Sequence, residues 1–354
     1  MNQDTKKFFY KLLTTPGPTG FEEKIQKVVK SRMKDYADFI DTDLHGNLIV
    51  GLNTKAETKV MLAGHCDQIG FMVNHVTKDG FIYLSPLGGI DTTVLFGTKV
   101  VIHAAKEKVV GVIGKKPIHL QRADERGKAK ADFNNLWVDI GAKDKKEVEK
   151  HIQIGDPVTF DPGVTECFQD HVSSPAIDNR AGLFVVMEAL RLCAKKKLNV
   201  ALYSVSTVQE EVGLRGATTA SYSIDPDIGL GVDVTHATDN PGYTEKKAPP
   251  CLLGGGPVIV RGPNVNPIVE KRLLQAARKY KIPYQINPSS RLLGNDTRAM
   301  QINRAGMATG SIGLPNRYMH TQVEMCSLKD LTNSAKLIAK FVQDISKSTD
   351  FTPR

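Results

Sequence analysis

Five places in the chain carry side chains suited to bond-breaking chemistry. They are His65-Cys66-Asp67, Asp178, Gln209-Glu210-Glu211, Asp233 followed by Thr235-His236, and Met319-His320. Imidazoles and carboxylates dominate this set, and it holds no thiol cluster. Such hard-to-borderline donors suit Zn²⁺, Mn²⁺ or Co²⁺ rather than a thiolate structural zinc site. Three or more carboxylates in one pocket repel unless neutralised, and two divalent ions sharing one bridging carboxylate neutralise them. A further carboxylate beside the ions can take a proton from water. Singly, each residue has an ordinary reading. A histidine near a strand end is usually structural, paired glutamates usually face solvent, and an aspartate ahead of a helix is by default an N-cap. Asp233 is less ordinary, because a carboxylate ending an apolar strand needs a partner.

What brings these residues together is their position after strands. Lys59 to Ala63 reads as a strand and runs into His65-Cys66-Asp67. Asn199 to Thr207 precedes Gln209-Glu210-Glu211, Ile228 to Val234 contains Asp233, and Met307 to Ile312 leads to His320. These strands, and Asn47 to Leu52, show no strict alternation, which suits burial on both faces. Helical patterns alternate with them. Thr19-Gly20-Phe21-Glu22 has the spacing of a capping box, ahead of Ile25, Val28, Val29, Met33 and Tyr36 at helical spacing. Ala181 to Lys197 and Asn266 to Tyr280 read as helices. Pro283 to Ile286 reads as a strand, and Ser327 with Asp330 opens a last helix to about Ile345. Alternating units of this kind predict an α/β fold with a mainly parallel central sheet and helices on both faces. Sites in open α/β sheets lie at the carboxyl ends of the strands.

The texture changes from Phe71. Short apolar runs (Phe71 to Val73, Phe81 to Leu84, Lys99 to His103, Lys108 to Ile113, Leu136 to Ile140, Pro157 to Phe160) are separated by turn signals such as Asp79-Gly80 and Gly88-Gly89. This predicts an inserted all-β unit over 71–164, a barrel or sandwich, inside an α/β domain of 1–70 and 165–354. The charged stretch from Lys115 to Asp132 reads as a solvated loop or as an arm near an oligomer contact or site entrance.

Composition narrows the function classes. The 354 residues carry 47 Lys+Arg and 38 Asp+Glu, so the net charge is 47 − 38 = +9, with 41% hydrophobic and 24% charged residues. Those proportions are globular and exclude a disordered chain. Basic residues are interleaved with acids and only 6% of the residues are aromatic, which argues against nucleic-acid binding. No apolar run approaches a membrane span, and Met1 to Tyr10 lacks the apolar core of a secretory signal. Five scattered cysteines without a Cys-x-x-Cys pair argue against a disulfide framework. A cytoplasmic location is the expectation.

Taken in order, five motifs resemble the M42 family of metallo-aminopeptidases, the TET-type group also described as glutamyl aminopeptidases or endoglucanases. They are Gly64-His65-Cys66-Asp67-Gln68-Ile69-Gly70, Ile177-Asp178-Asn179-Arg180-Ala181-Gly182, Gln209-Glu210-Glu211-Val212-Gly213, Val232-Asp233-Val234-Thr235-His236-Ala237, and Arg317 to Glu324 with His320 inside. Pro86-Leu87-Gly88-Gly89 also resembles the family's insertion. The resemblance implies a zinc-exopeptidase-like catalytic domain interrupted by a PDZ-like β-barrel that serves dimerisation. It implies two divalent ions per subunit, zinc foremost, with cobalt or manganese compatible. His65 and Asp233 would bind one ion, Glu211 and His320 the other, and Asp178 would bridge them. Glu210 would be the general base acting on a metal-bridging water, and Asp67 would hydrogen-bond the second nitrogen of His65. Peptide substrates and homo-oligomers, dimers building a dodecamer, are implied as well. A deblocking or deacylating metallohydrolase and a non-catalytic assembly protein are the alternatives. Three departures stand out: Gln68 where the family often has Glu, Asn179 where a second Asp is common, and Leu293-Gly294-Asn295-Asp296 in place of Gly-Gly-Thr-Asp.

Overall fold

The computed structural model describes residues 1–122, 132–244 and 249–354. Half of the charged stretch read between Lys115 and Asp132, residues 123–131, therefore lies outside the described residues. The chain divides into two compact units, one of residues 1–68, 163–319 and 323–354, the other of 69–162 and 320–322.

The first unit is built on an eight-stranded sheet. Its centre is four parallel strands in the order Ala201–Thr207, Lys59–His65, Ile228–His236, Ala308–Asn316. Strands Leu48–Leu52 and Phe39–Thr42 extend one side antiparallel. On the other side Val258–Arg261 runs antiparallel to its neighbour and parallel to Gln285–Pro288. The sheet is thus mixed, with a parallel heart. Both faces of its inner strands are buried, which explains the missing alternation. Val60 and Leu62 enter the larger core with helices Ile177–Cys193, Leu328–Gln343, Gln3–Thr14, Glu23–Met33 and Pro267–Lys279. Met61 and Ala63 face a smaller core with Ala217, Ala220 and Met300 from helices Arg215–Ile224 and Asp296–Gln301.

The capping-box reading of Thr19 to Glu22 is corrected. The helix starts at Glu23 with no side-chain cap. The Thr19 hydroxyl instead donates to Asp67 at 2.9 Å, and Glu22 accepts from the Gly20 and Gln209 amides. A buried carboxylate is a stronger claimant for a hydroxyl than a helix end that water can serve. Asp330 likewise accepts the Gly254 and Gly256 amides, while Ser327 alone caps the last helix. Helix Gln3–Thr14 was not foreseen. Asn2 caps it, and Phe8, Phe9, Leu12 and Leu13 form its buried stripe.

The second unit is a closed six-stranded barrel in the order Gly70–Val76, Ile82–Leu87, Trp137–Asp139, Lys108–Gly114, Lys99–His103, Pro157–Phe160. Closure leaves no unpaired strand edge. Phe71 and Phe160 meet edge to face at 5.4 Å within its core. Among the described residues, no helix of either unit is long and apolar enough to cross a membrane.

Candidate active site

Three parallel strands deliver the site's first residues. In the ladder His65 stands opposite Thr207, two residues before Gln209-Glu210-Glu211. Asp233 lies in the strand on the other side of Lys59–His65. Asp178 comes from the start of the buried helix Ile177–Cys193, whose first residues are not helical. Asp178 therefore does not act as the N-cap of a regular helix. The Asp178–Asn179 peptide is cis. Glycines let this helix lie against the sheet: a Cβ on Gly64 would stand 2.7 Å from the Gly182 carbonyl carbon, and one on Gly182 would collide with Asn179 and the Val232 carbonyl.

Nε2 of His65 lies 3.3 Å from Asp178 Oδ1, and 3.8 Å from both Glu210 Oε2 and Asp233 Oδ1. Donor atoms of His65, Asp178 and Asp233 fall within 4.8 Å of one another, as do those of His65, Glu210 and Glu211. Nδ1 points the other way, 3.2 Å from the Asp67 carbonyl and 3.4 Å from its carboxylate. His65, Asp67, Asp178, Glu210 and Asp233 are all buried. His320 falls in residues 320–322, grouped with the barrel unit. Its φ is +61°, and a Cβ on Gly89 of the same unit would stand 3.5 Å from its Nδ1.

Burial disfavours charge on His65, yet Glu210, Asp178, Asp67 and Asp233 outweigh it and hold the imidazolium well above its ordinary pKa. Burial pushes Glu210 up to about 10, reinforced by Asp233, Asp296 and Glu211 against the pull of His65. Burial, with Asp178 and Asp296, also raises Asp233 well above the carboxylate range. Asp296 rises to about 6 through burial. Asp67 differs: burial is outweighed by His65, the Glu210 amide and the Thr19 hydroxyl, so it stays below the usual value. Among the described residues of this unit, the groups gathered at Nε2 of His65 are short of positive charge. One imidazole and a crowd of oxygen donors are what divalent ions such as Zn²⁺, Mn²⁺ or Co²⁺ take, so the residues present fit such ions.

Several contributors were not assigned from the sequence. Glu324 accepts the Asp178 amide at 2.7 Å, and Asp67 accepts the Glu210 and Glu211 amides. Thr207 donates to Asp296 at 2.6 Å. The motif spacing marked Glu324 and Asp296, but not their partners. One of the noted departures has a physical reason. Asn179 donates to the Val232 carbonyl and accepts from the Gly182 amide, a pairing that an ionised Asp cannot make. Gln68 accepts from the fully buried Arg180, a bond that a Glu could accept as well, so nothing in the structure explains that departure.

Known proteins resemble this chain along its length. The lysyl aminopeptidase of Pyrococcus furiosus is 39% identical over 97% of this chain and 98% of its own. The crystal structure of the TET aminopeptidase from the marine sediment archaeon Thaumarchaeota archaeon SCGC AB-539-E09 superposes with a TM-score of 0.92 at 32% identity, covering 97% of each chain. The TET1 peptidase of Pyrococcus horikoshii, which can assemble into a tetrahedron or a large octahedral shell, has a TM-score of 0.86 at 29% identity, covering 96% of this chain and 100% of that one. The family model described as M42 glutamyl aminopeptidase matches residues 46–337, so the chain belongs to the M42 family and is a peptidase.

Proposed function

We propose that this chain removes the N-terminal residue from peptides with two divalent metal ions per subunit. The observation that carries the reading is the gathering of Asp178, Glu210 and Asp233 around Nε2 of buried His65. His65 and Asp233 would hold one ion and Glu211 with His320 the other, Asp178 serving both. Zinc is the first candidate, with cobalt or manganese also suited to the donors. When bound, the ions would polarise the scissile carbonyl and lower the pKa of water toward neutrality. Glu210 would accept the proton of the attacking water and deliver it to the leaving amine. Asp67 would hold the Nδ1 proton of His65 and so leave the Nε2 lone pair for a metal.

Residues 71–164 would form a dimerisation domain set within a catalytic domain of 1–70 and 165–354, with dimers building a dodecamer. The tetrahedral assembly of the P. horikoshii peptidase supports this. A cytoplasmic location suits five cysteines that are free in the fold.

The test is a panel of free-amine and N-acyl peptides offered to metal-stripped protein with Zn²⁺, Co²⁺ or Mn²⁺ restored, beside Glu210→Gln. Metal-dependent release from free-amine peptides, falling about 10³-fold in Glu210→Gln with metal content retained, is the expected result. Turnover of N-acyl peptides alone would favour a deblocking enzyme. Undiminished turnover in Glu210→Gln would remove it as general base.

A further inference from the structure

The turn that carries the proposed base offers three successive amides, and each meets a buried carboxylate. Gln209 N–H donates to Glu22 Oε1 at 3.2 Å, Glu210 N–H to Asp67 Oδ1 at 3.1 Å, and Glu211 N–H to Asp67 Oδ2 at 3.2 Å. Gln209 sits at φ +54°, ψ +38°, a conformation that a glutamine keeps only where its surroundings hold it. Glu22 is itself fixed. Its Oε1 also accepts the Gly20 amide at 2.8 Å, across a turn in which Gly20 has φ +89°. Thr19, in the same turn, donates to Asp67. The 19–22 turn thus grips both acceptors of the 209–211 turn.

We propose that Glu22 is a positioning residue for Glu210, an assignment that rests on the peptidase reading above. Glu22 is absent from the clusters of metal-capable donors. It acts by fixing the backbone from which Glu210 and Glu211 project. A general base must meet its proton within hydrogen-bond reach, and a misplacement of about 1 Å can cost about 10²-fold in rate.

The test uses the full-length, metal-loaded protein. In Glu22→Ala, amide hydrogen exchange over 208–214 is expected to quicken at least about 10-fold, as expected of a released turn. The turnover number kcat should fall about 10²-fold, with KM and metal content near wild type. Glu22→Gln keeps an accepting oxygen, and should restore both exchange and kcat to within a few-fold. If the alanine variant does not fold, Glu22→Asp, which shortens the reach by one methylene, carries the same comparison. Unchanged exchange over 208–214 would overturn the proposal, as would a glutamine variant as impaired as the alanine one. Exchange is read without substrate. A responsive turn in a wild-type chain that cleaves no peptide would therefore contradict the peptidase reading, whereas an unresponsive turn in an active enzyme contradicts the role of Glu22 alone.

Discussion

The two units bury different things. In the barrel the buried polar groups among the described residues are Thr98, His103 and Thr159, and the interior is otherwise aliphatic and aromatic. His103 and Thr159 meet each other at 2.8 Å. In the sheet unit the buried set includes His65, Asp67, Asp178, Arg180, Glu210, Asp233, Asp296 and Glu324. Burying charge costs free energy unless it is paired. A fold that concentrates that cost at adjoining strand ends is spending it on chemistry, and the barrel, built by packing alone, shows what the same chain does without that demand.

The comparison predicts that acid and metal act on one unit and packing on the other. The largest effect concerns metal-stripped protein. Glu210 has its pKa raised to about 10, so the native state keeps a proton that the unfolded chain has lost above about 4.5. His65 is raised too, so its stabilising contribution is lost as pH climbs through its folded value. Both signs agree: stability of the stripped protein falls as pH rises from 6 to 9. At about 1.4 kcal/mol per pH unit for one group, Glu210 alone gives roughly 4 kcal/mol. Thermal unfolding at several pH values should show this slope flatten when divalent metal is restored. An identical slope with and without metal would show that metal does not act through the acids gathered at His65.

A smaller effect probes the barrel. Phe160→Ala empties a buried ring site against Phe71 and should cost about 3 kcal/mol. That loss should be indifferent to metal and to pH between 6 and 9, as read by denaturant unfolding. A loss that metal reverses would show that the barrel does not owe its stability to packing alone.

Most of the scaffold was legible because its strands are short apolar runs between turn signals. Lys59–His65 is buried on both faces, whereas barrel strands such as Lys108–Gly114 bury one face and expose the other. Helix Arg215–Ile224 was hidden because its buried face is built from the small residues Gly216, Ala217, Ala220 and Ser221, with Ile224 its one large apolar side chain. Helix Gln3–Thr14 was masked by the lysines among its buried residues. At the site, residue types at strand ends pointed to His65, Glu210, Glu211, Asp233 and His320, and Asp178 was marked by its place ahead of a helix. Their supporting bonds were not legible. Thr19 and Glu22 reach Asp67 and Gln209 across long stretches of sequence, and a local pattern cannot distinguish such a reach from a helix cap.

Counting metal decides whether the acids gathered at His65 form a two-metal centre sharing Asp178. Elemental analysis of dialysed wild-type protein and of Asp178→Ala, both shown to be folded, should give two divalent ions per chain in the first and none in the second. Two ions retained in Asp178→Ala, or none bound by the folded wild-type chain, would contradict it.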